Sequence, residues 1–137
     1  MASTVRTTDY YYVIVSDEAG ECSRLLSGLK KQNVNLLAFC GFPVQGGKAQ
    51  LDFVPEDPEA FRRAVEALGL KPSERKRALI IQGEDRAGAA AEIYQKLADQ
   101  AINVTASQAI ADGVGRFGMI LWVKPADLDK AAKALGA

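Results

Sequence analysis

The chain has 137 residues, of which 48% are hydrophobic and 25% charged, a composition typical of a soluble globular protein. Its 17 basic and 17 acidic residues cancel, so the sequence offers no electrostatic footprint for nucleic acid or an anionic membrane. Histidine is absent, which removes the commonest general base and zinc ligand, and two cysteines make no disulfide framework. We therefore expect a cytoplasmic protein that is not an enzyme, with no metal or other cofactor and no nucleic-acid or membrane partner.

The first half of the chain predicts five elements in the order strand, helix, strand, strand, helix. They cover residues 10–16, 19–32, 35–42, 48–54 and 58–68. β-branched and aromatic residues predict the first strand, and apolar residues at helical spacing predict the first helix. Asp17 is placed to cap that helix and Asn33 to end it. Residues 70–75 supply a last strand, which Pro72 confines to a sheet edge.

The second half predicts the same order of elements. They cover residues 77–82, 87–100, 103–110, 116–123 and 126–135. The sequence ends at Ala137, directly after this helix, and we expect the second half to have no last strand of its own. Residues 71–76 lie just upstream of the first strand of the second half, and the segment from Ser3 to Thr8 lies at the equivalent position in the first half. We expect the segment from Ser3 to Thr8 to complete the sheet of the second half.

The two halves also align residue by residue. Gly20 and Gly88 lie 68 residues apart, and the same offset pairs aspartates, asparagines, glycines and apolar residues. The pairs include Asp17 with Asp85, Leu29 with Leu97, Asn35 with Asn103 and Gly47 with Gly115. We interpret this as a duplication with domains at 1–70 and 71–137. The order predicts an α+β fold of two ferredoxin-like βαββαβ domains, with antiparallel sheets and helices on one face.

Two short motifs recur in both halves and carry a resemblance to a known family. The start of the first helix reads Asp17-Glu18-Ala19-Gly20-Glu21-Cys22, and its counterpart reads Asp85-Arg86-Ala87-Gly88-Ala89-Ala90. The start of the second strand reads Asn33-Val34-Asn35-Leu36, and its counterpart reads Ala101-Ile102-Asn103-Val104. The chain thus resembles the ACT domain family over nearly its whole length, twice, although alanine replaces the family's proline before each glycine.

The resemblance implies a non-catalytic regulatory protein. Such a protein binds an amino acid or a similar small metabolite at the interface between ACT domains. It also implies a separate enzyme of amino-acid metabolism as partner. The free edges of the predicted sheets favour a homodimer. The alternative is a ligand-free interaction and dimerisation module that regulates such an enzyme.

The helix starts also have the chemistry of a ligand site. Glycine lets a ligand approach the backbone, and first-turn N–H groups suit a carboxylate. An aspartate is suited to meet an ammonium group, and an asparagine offers both donor and acceptor. The candidate ligand-binding residues are Asp17, Ala19, Gly20 and Asn35 in the first half and Asp85, Ala87, Gly88, Ala89 and Asn103 in the second. The second half is the better candidate, because its alanines leave space whereas Glu21 repels a carboxylate.

Structural roles remain open for these same residues. The glycines serve equally well in tight turns, and the aspartates as helix caps. The asparagines tolerate left-handed backbone where a strand begins. Cys22 and Cys40 are expected to be small buried residues, with a redox role left open for Cys22 because a first helical turn lowers a thiol pKa.

Overall fold

The structure is a computed structural model that describes residues 3–137. Its strands are β1 (Thr4–Ser16), β2 (Leu36–Val44), β3 (Lys48–Pro55), β4 (Lys76–Glu84), β5 (Val104–Ala111) and β6 (Arg116–Val123). Its helices are α1 (Glu21–Lys31), α2 (Pro58–Ala67), α3 (Ala89–Asp99) and α4 (Leu128–Leu135), the last preceded by a 3-10 turn at Pro125–Asp127. No helix within the described residues is long and apolar enough to cross a membrane.

The strands follow the order β2-β3-β1-β4-β6-β5. The pairings β2–β3, β1–β3, β4–β6 and β5–β6 are all antiparallel, as expected for an α+β fold. Residue contacts divide the chain into two units, at a boundary after the predicted one at 70/71. Unit 9–76 runs from Asp9 to Lys76. Unit 77–137 runs from Arg77 to Ala137 and includes the N-terminal segment up to Thr8.

The core of unit 9–76 lies between its strands and helices α1 and α2. Tyr11, on the face of β1 that points to the helices, is only 2% exposed. The Phe61 ring of α2 lies 5.4 Å from the Tyr11 ring and 5.2 Å from the Phe53 ring of β3, measured between centroids. The other buried members are Val13, Val15, Leu25, Leu29, Leu51, Ala64 and Val65. The helical spacing predicted for the first helix is therefore confirmed at Leu25 and Leu29.

The core of unit 77–137 is built in the same way from its own strands and helices. Its buried members include Leu79, Ile81, Ile93, Leu97, Leu121, Leu128, Ala131 and Leu135. Val5 of the N-terminal segment packs against this cluster. A Cβ placed on Gly83 would come 3.0 Å from Cβ of Ser3. The N-terminal segment therefore lies beside β4.

Two expectations about unit 9–76 are wrong. Residues 70–75 are not a strand. Pro72 has no N–H to donate to a neighbouring strand. The N–H of Tyr12 donates to the hydroxyl of Ser73 and not to a backbone carbonyl. Asp17 does not cap α1, because the helix begins later, with Gly20 at the N-cap and no side-chain cap bond.

The repeat seen in the sequence has a counterpart in backbone geometry. Asp17 N donates to Gly47 O at 2.9 Å, and Asp85 N donates to Gly115 O at the same distance. Each pair ties the loop before a helix to the hairpin turn of its own unit. Helices α1 and α3 are also followed by equivalent left-handed residues, Asn33 with φ 57° and Ala101 with φ 54°. The predicted end of the first helix at Asn33 is therefore confirmed.

Candidate functional site

Helix α3 begins at a glycine with left-handed backbone. Gly88 has φ 88° and occupies the N-cap position, without a side-chain cap. A Cβ at Gly88 would meet no atom within 4 Å, so the space beside the helix start is open. The glycine therefore serves the turn and also leaves the backbone accessible, and both roles foreseen for it are compatible.

A cleft of about 370 Å³ lies beside this helix start. Its wall is formed by the loop before α3, the first residues of the helix, the end of β5 and the start of β6. The lining residues are mostly small and apolar: Asp85, Arg86, Gly88, Ala89, Ala90, Ala91, Ala109, Ile110, Ala111 and Phe117. Because β5 is an edge strand, the cleft opens at the rim of the sheet.

Backbone donors are available at one end of the cleft. Ala89 N already donates to Arg86 O, and Glu92 N makes the first i→i−4 bond to Gly88 O. Ala90 and Ala91 stand between them, so their N–H groups have no intrahelical partner. These two amides, and not that of Ala89, are therefore the donors that an anionic group in the cleft would meet, at the positive end of the helix dipole.

Charged side chains complete the polar end of the cleft. The guanidinium of Arg86 forms a hydrogen-bonded ion pair with the carboxylate of Glu92, and this pair holds the pKa of Glu92 below its usual range. Arg86 is thus engaged by its own helix. Asp85, the acidic residue of the lining, is exposed and has the chemistry to accept from an ammonium group.

The equivalent position in unit 9–76 has the same backbone but a different surface. Gly20 has φ 93° and also has open space around it. Glu21, the counterpart of Ala89, puts a carboxylate into the first turn of α1, where it bonds Arg24 at 3.2 Å. This charge opposes an anionic ligand at the start of α1, in line with the preference for the second half.

The structure brings together only part of the predicted site. Asp85, Gly88 and Ala89 line the α3 cleft, whereas Ala87 and Asn103 do not. Asp17, Ala19 and Gly20 form the exposed loop before α1.

Asn35 lies beyond the opposite end of α1. There it lines a second depression of about 220 Å³ and donates to the Glu56 carboxylate at 3.2 Å. Neither Asn35 nor Asn103 has positive φ, so the expectation of left-handed backbone belongs to Asn33 and Ala101 instead.

Seven of the ten cleft residues were not among the predicted ligand-binding residues, and four of these seven come from outside the helix start. Ala109, Ile110 and Ala111 end β5, and Phe117 follows the turn into β6. A signal for them exists, because a strand that follows a helix in a split βαβ unit runs back along it. The last residues of β5 therefore arrive beside the first residues of α3.

The cysteines show no sign of activation. Both are free and half-buried, and burial raises the pKa of Cys22 and of Cys40 above the usual thiol range. The lowered pKa considered for Cys22 is therefore wrong, because desolvation of the thiolate dominates at this position. Within the described residues, no three His, Cys, Asp or Glu side chains are grouped to hold a metal ion.

No protein-family model matches the sequence, and no curated protein matches it. Solved structures do match. Protein BT0572 from Bacteroides thetaiotaomicron has a TM-score of 0.83 at 16% identity, covering 96% of this chain and 88% of that one. The ligand-free regulatory subunit of aspartate kinase from Thermus thermophilus has a TM-score of 0.69 at 12% identity, covering 97% and 93%. The regulatory subunit of aspartate kinase from Thermus flavus has a TM-score of 0.69 at 15% identity, covering 98% of this chain and 95% of that one. The chain therefore has an ACT-like α+β fold.

Proposed function

We propose that this chain is a non-catalytic regulatory protein that binds an amino acid or a similar small metabolite in the α3 cleft. The cleft itself carries the proposal. It combines the first-turn backbone donors of Ala90 and Ala91 with the Asp85 carboxylate and an apolar wall. Such a set suits the carboxylate, the ammonium group and the side chain of an amino acid in turn.

The fold gives this proposal its context. Two of the similar structures are described as regulatory subunits of aspartate kinase, and both are covered almost completely by this chain. By analogy we propose that the chain acts on a separate enzyme of amino-acid metabolism. We also propose that it forms a homodimer in which a second copy closes the cleft at the edge strand β5, so that the ligand lies at an interface between ACT domains.

A thermal-shift screen of the purified chain against amino acids and the corresponding oxo-acids tests the proposal. A ligand at about 100 times its dissociation constant stabilises the folded state by about 2.7 kcal/mol. Gly88→Val should abolish that shift. Gly20→Val is the matched control, because both glycines have left-handed φ with open space around them and suffer similar strain. Loss of the shift in both variants, or in neither, would contradict the assignment of the cleft.

Ala89→Glu provides a second, charge-based variant. It places in unit 77–137 the carboxylate that Glu21 provides in unit 9–76, where the fold accommodates it. We expect this variant to unfold at a similar temperature to the unmodified chain and to lose the ligand response. Glu21→Ala, which removes the natural carboxylate, should leave the response intact.

A ligand-free interaction module is the second candidate function. Edge strand β2 exposes Leu37, Phe39 and Phe42 to 40% each, and β5 exposes Ile110 to 78%. Exposed apolar edges of this kind favour pairing with another chain. The absence of a thermal shift with any compound at millimolar concentration, together with a stable dimer in sedimentation, would support this alternative.

A further inference from the structure

A buried carboxyl lies on the helix-free face of β3 in unit 9–76. Asp52 is only 7% exposed, although its neighbours Leu51 and Phe53 are the residues that point into the core. In the strand register it stands between Tyr12 of β1 and Cys40 of β2. A charged group at such a position requires compensation, because desolvation disfavours its ionised form.

Asp52 receives compensation from a neighbouring amide and a nearby positive charge. Oδ1 accepts from Gln50 Nε2 at 2.9 Å. Burial raises the pKa of Asp52, while the Gln50 bond and the charge of Lys76 oppose that rise. The carboxyl in turn contributes to raised pKa values at Tyr10 and Cys40. The titratable groups around Asp52 within unit 9–76 are therefore those of Tyr10, Tyr12, Cys40 and Lys76.

The ammonium of Lys76 lies near Tyr12, one of the residues that flank Asp52 in the sheet. Its Nζ is 6.0 Å from the ring centroid of Tyr12, which is the residue directly across from Asp52. A lysine over an aromatic face is held by a modest cation–π attraction, which a nearby carboxylate can outweigh. Lys76 is also the first residue of β4 and the last residue of unit 9–76, where the chain passes on to Arg77.

We propose that Asp52 and Lys76 form a proton-operated switch at the point where the chain leaves unit 9–76. When Asp52 is protonated, the Lys76 ammonium stays over the Tyr12 ring. When Asp52 releases its proton to solvent, the ammonium moves toward the new carboxylate and shifts the first residues of β4. The switch requires no ligand and is independent of the α3 cleft.

An NMR titration of the full chain between pH 3 and pH 8 tests the switch. The signals to follow are the Asp52 carboxyl carbon, the Tyr12 ring and the backbone amides of Lys76 and Arg77. All should change with one midpoint, above the usual range for an aspartate. Asp52→Asn should remove that transition. Lys76→Met should raise the Asp52 midpoint, because a stabilising positive charge is lost, and should leave the Tyr12 ring unresponsive.

Three results would overturn the proposal. One is an Asp52 carboxyl that titrates in the ordinary range. The second is a Tyr12 ring or Lys76 amide that does not follow the Asp52 midpoint. The third is an unchanged Asp52 midpoint in Lys76→Met, a measurement that decides the matter even if Asp52→Asn fails to fold. Glu66→Gln, which removes an exposed carboxyl from α2, serves as the control and should leave every transition in place.

Discussion

Ser3 lies directly against Gly83 of β4, so close that a Cβ added to the glycine would be 3.0 Å from Cβ of Ser3. The same Cβ would come 3.1 Å from the Phe117 ring. Since contacts this short require neighbours to move, the residue at position 83 must be small for the N-terminal segment to lie beside β4. The expected closing strand at 3–8 thus depends on the absence of a side chain at residue 83. Ala2, just before this strand, lies outside the described residues.

We predict that Gly83→Ala destabilises the chain by about 1–3 kcal/mol through overpacking. The free energy of unfolding from urea titrations gives this value, and hydrogen exchange of β4 and residues 4–8 locates the loss. Gly118→Ala is the control, because its Cβ would meet no atom within 4 Å on β6. Equal effects of the two substitutions would show that the contact with Ser3 does not restrict position 83.

A second prediction concerns the end of α3. Ala101 has φ 54°, a left-handed backbone that disfavours alanine and that glycine adopts at no steric cost. We expect Ala101→Gly to stabilise the chain by about 0.5–1 kcal/mol. Ala98→Gly, in the exposed helix just upstream, should instead destabilise it by about 1 kcal/mol. Thermal unfolding of the two variants separates a true left-handed site from a general effect of glycine. A general effect would change the unfolding temperature in the same direction in both variants.

Ala101 also illustrates what the sequence reveals and what it hides. Asn33 identifies the end of α1 because asparagine tolerates left-handed backbone, and the structure confirms it. Its counterpart is an alanine, which carries no such signal and is recognised only through the repeat. The helices and strands could be predicted because the regular spacing of apolar residues that forms the core is visible in the sequence. Leu25 and Leu29 in α1 recur at helical spacing, and both are buried.

The candidate site was less accessible to prediction, because it depends on contacts between distant segments. Gly88 and Ala89 were identified from a local motif and line the cleft. Asn103 was linked to them by family resemblance, yet it follows the far end of α3. Phe117 lines the cleft only because antiparallel strands return to the start of the helix. The local motif therefore identified part of the wall at the helix start, and the wall formed by β5 and β6 follows only from the chain topology.

A third prediction concerns acid stability at the hairpin between β5 and β6. Asp112 Oδ1 accepts from Val114 N at 2.8 Å and from Arg116 N at 3.1 Å. These bonds lower the pKa of Asp112 below its ordinary value of 3.8. A depressed folded-state pKa means that the carboxylate stabilises the fold fully above about pH 4, and that this contribution is lost as the pH falls through the folded value. Unfolding temperatures measured from pH 6 down to pH 2 should therefore fall more steeply for the unmodified chain than for Asp112→Asn.

The asparagine variant isolates the charge, because its side-chain oxygen can still accept from both amides. At pH 6 Asp112→Asn should be less stable than the unmodified chain, since a neutral acceptor bonds the two N–H groups more weakly than a carboxylate. The two stability curves should converge as the pH falls, because Asp112 itself becomes protonated. Glu66→Gln removes a charge from α2 and should leave the shape of the curve unchanged. Parallel curves for Asp112→Asn and the unmodified chain would mean that the two hydrogen bonds do not favour the ionised form.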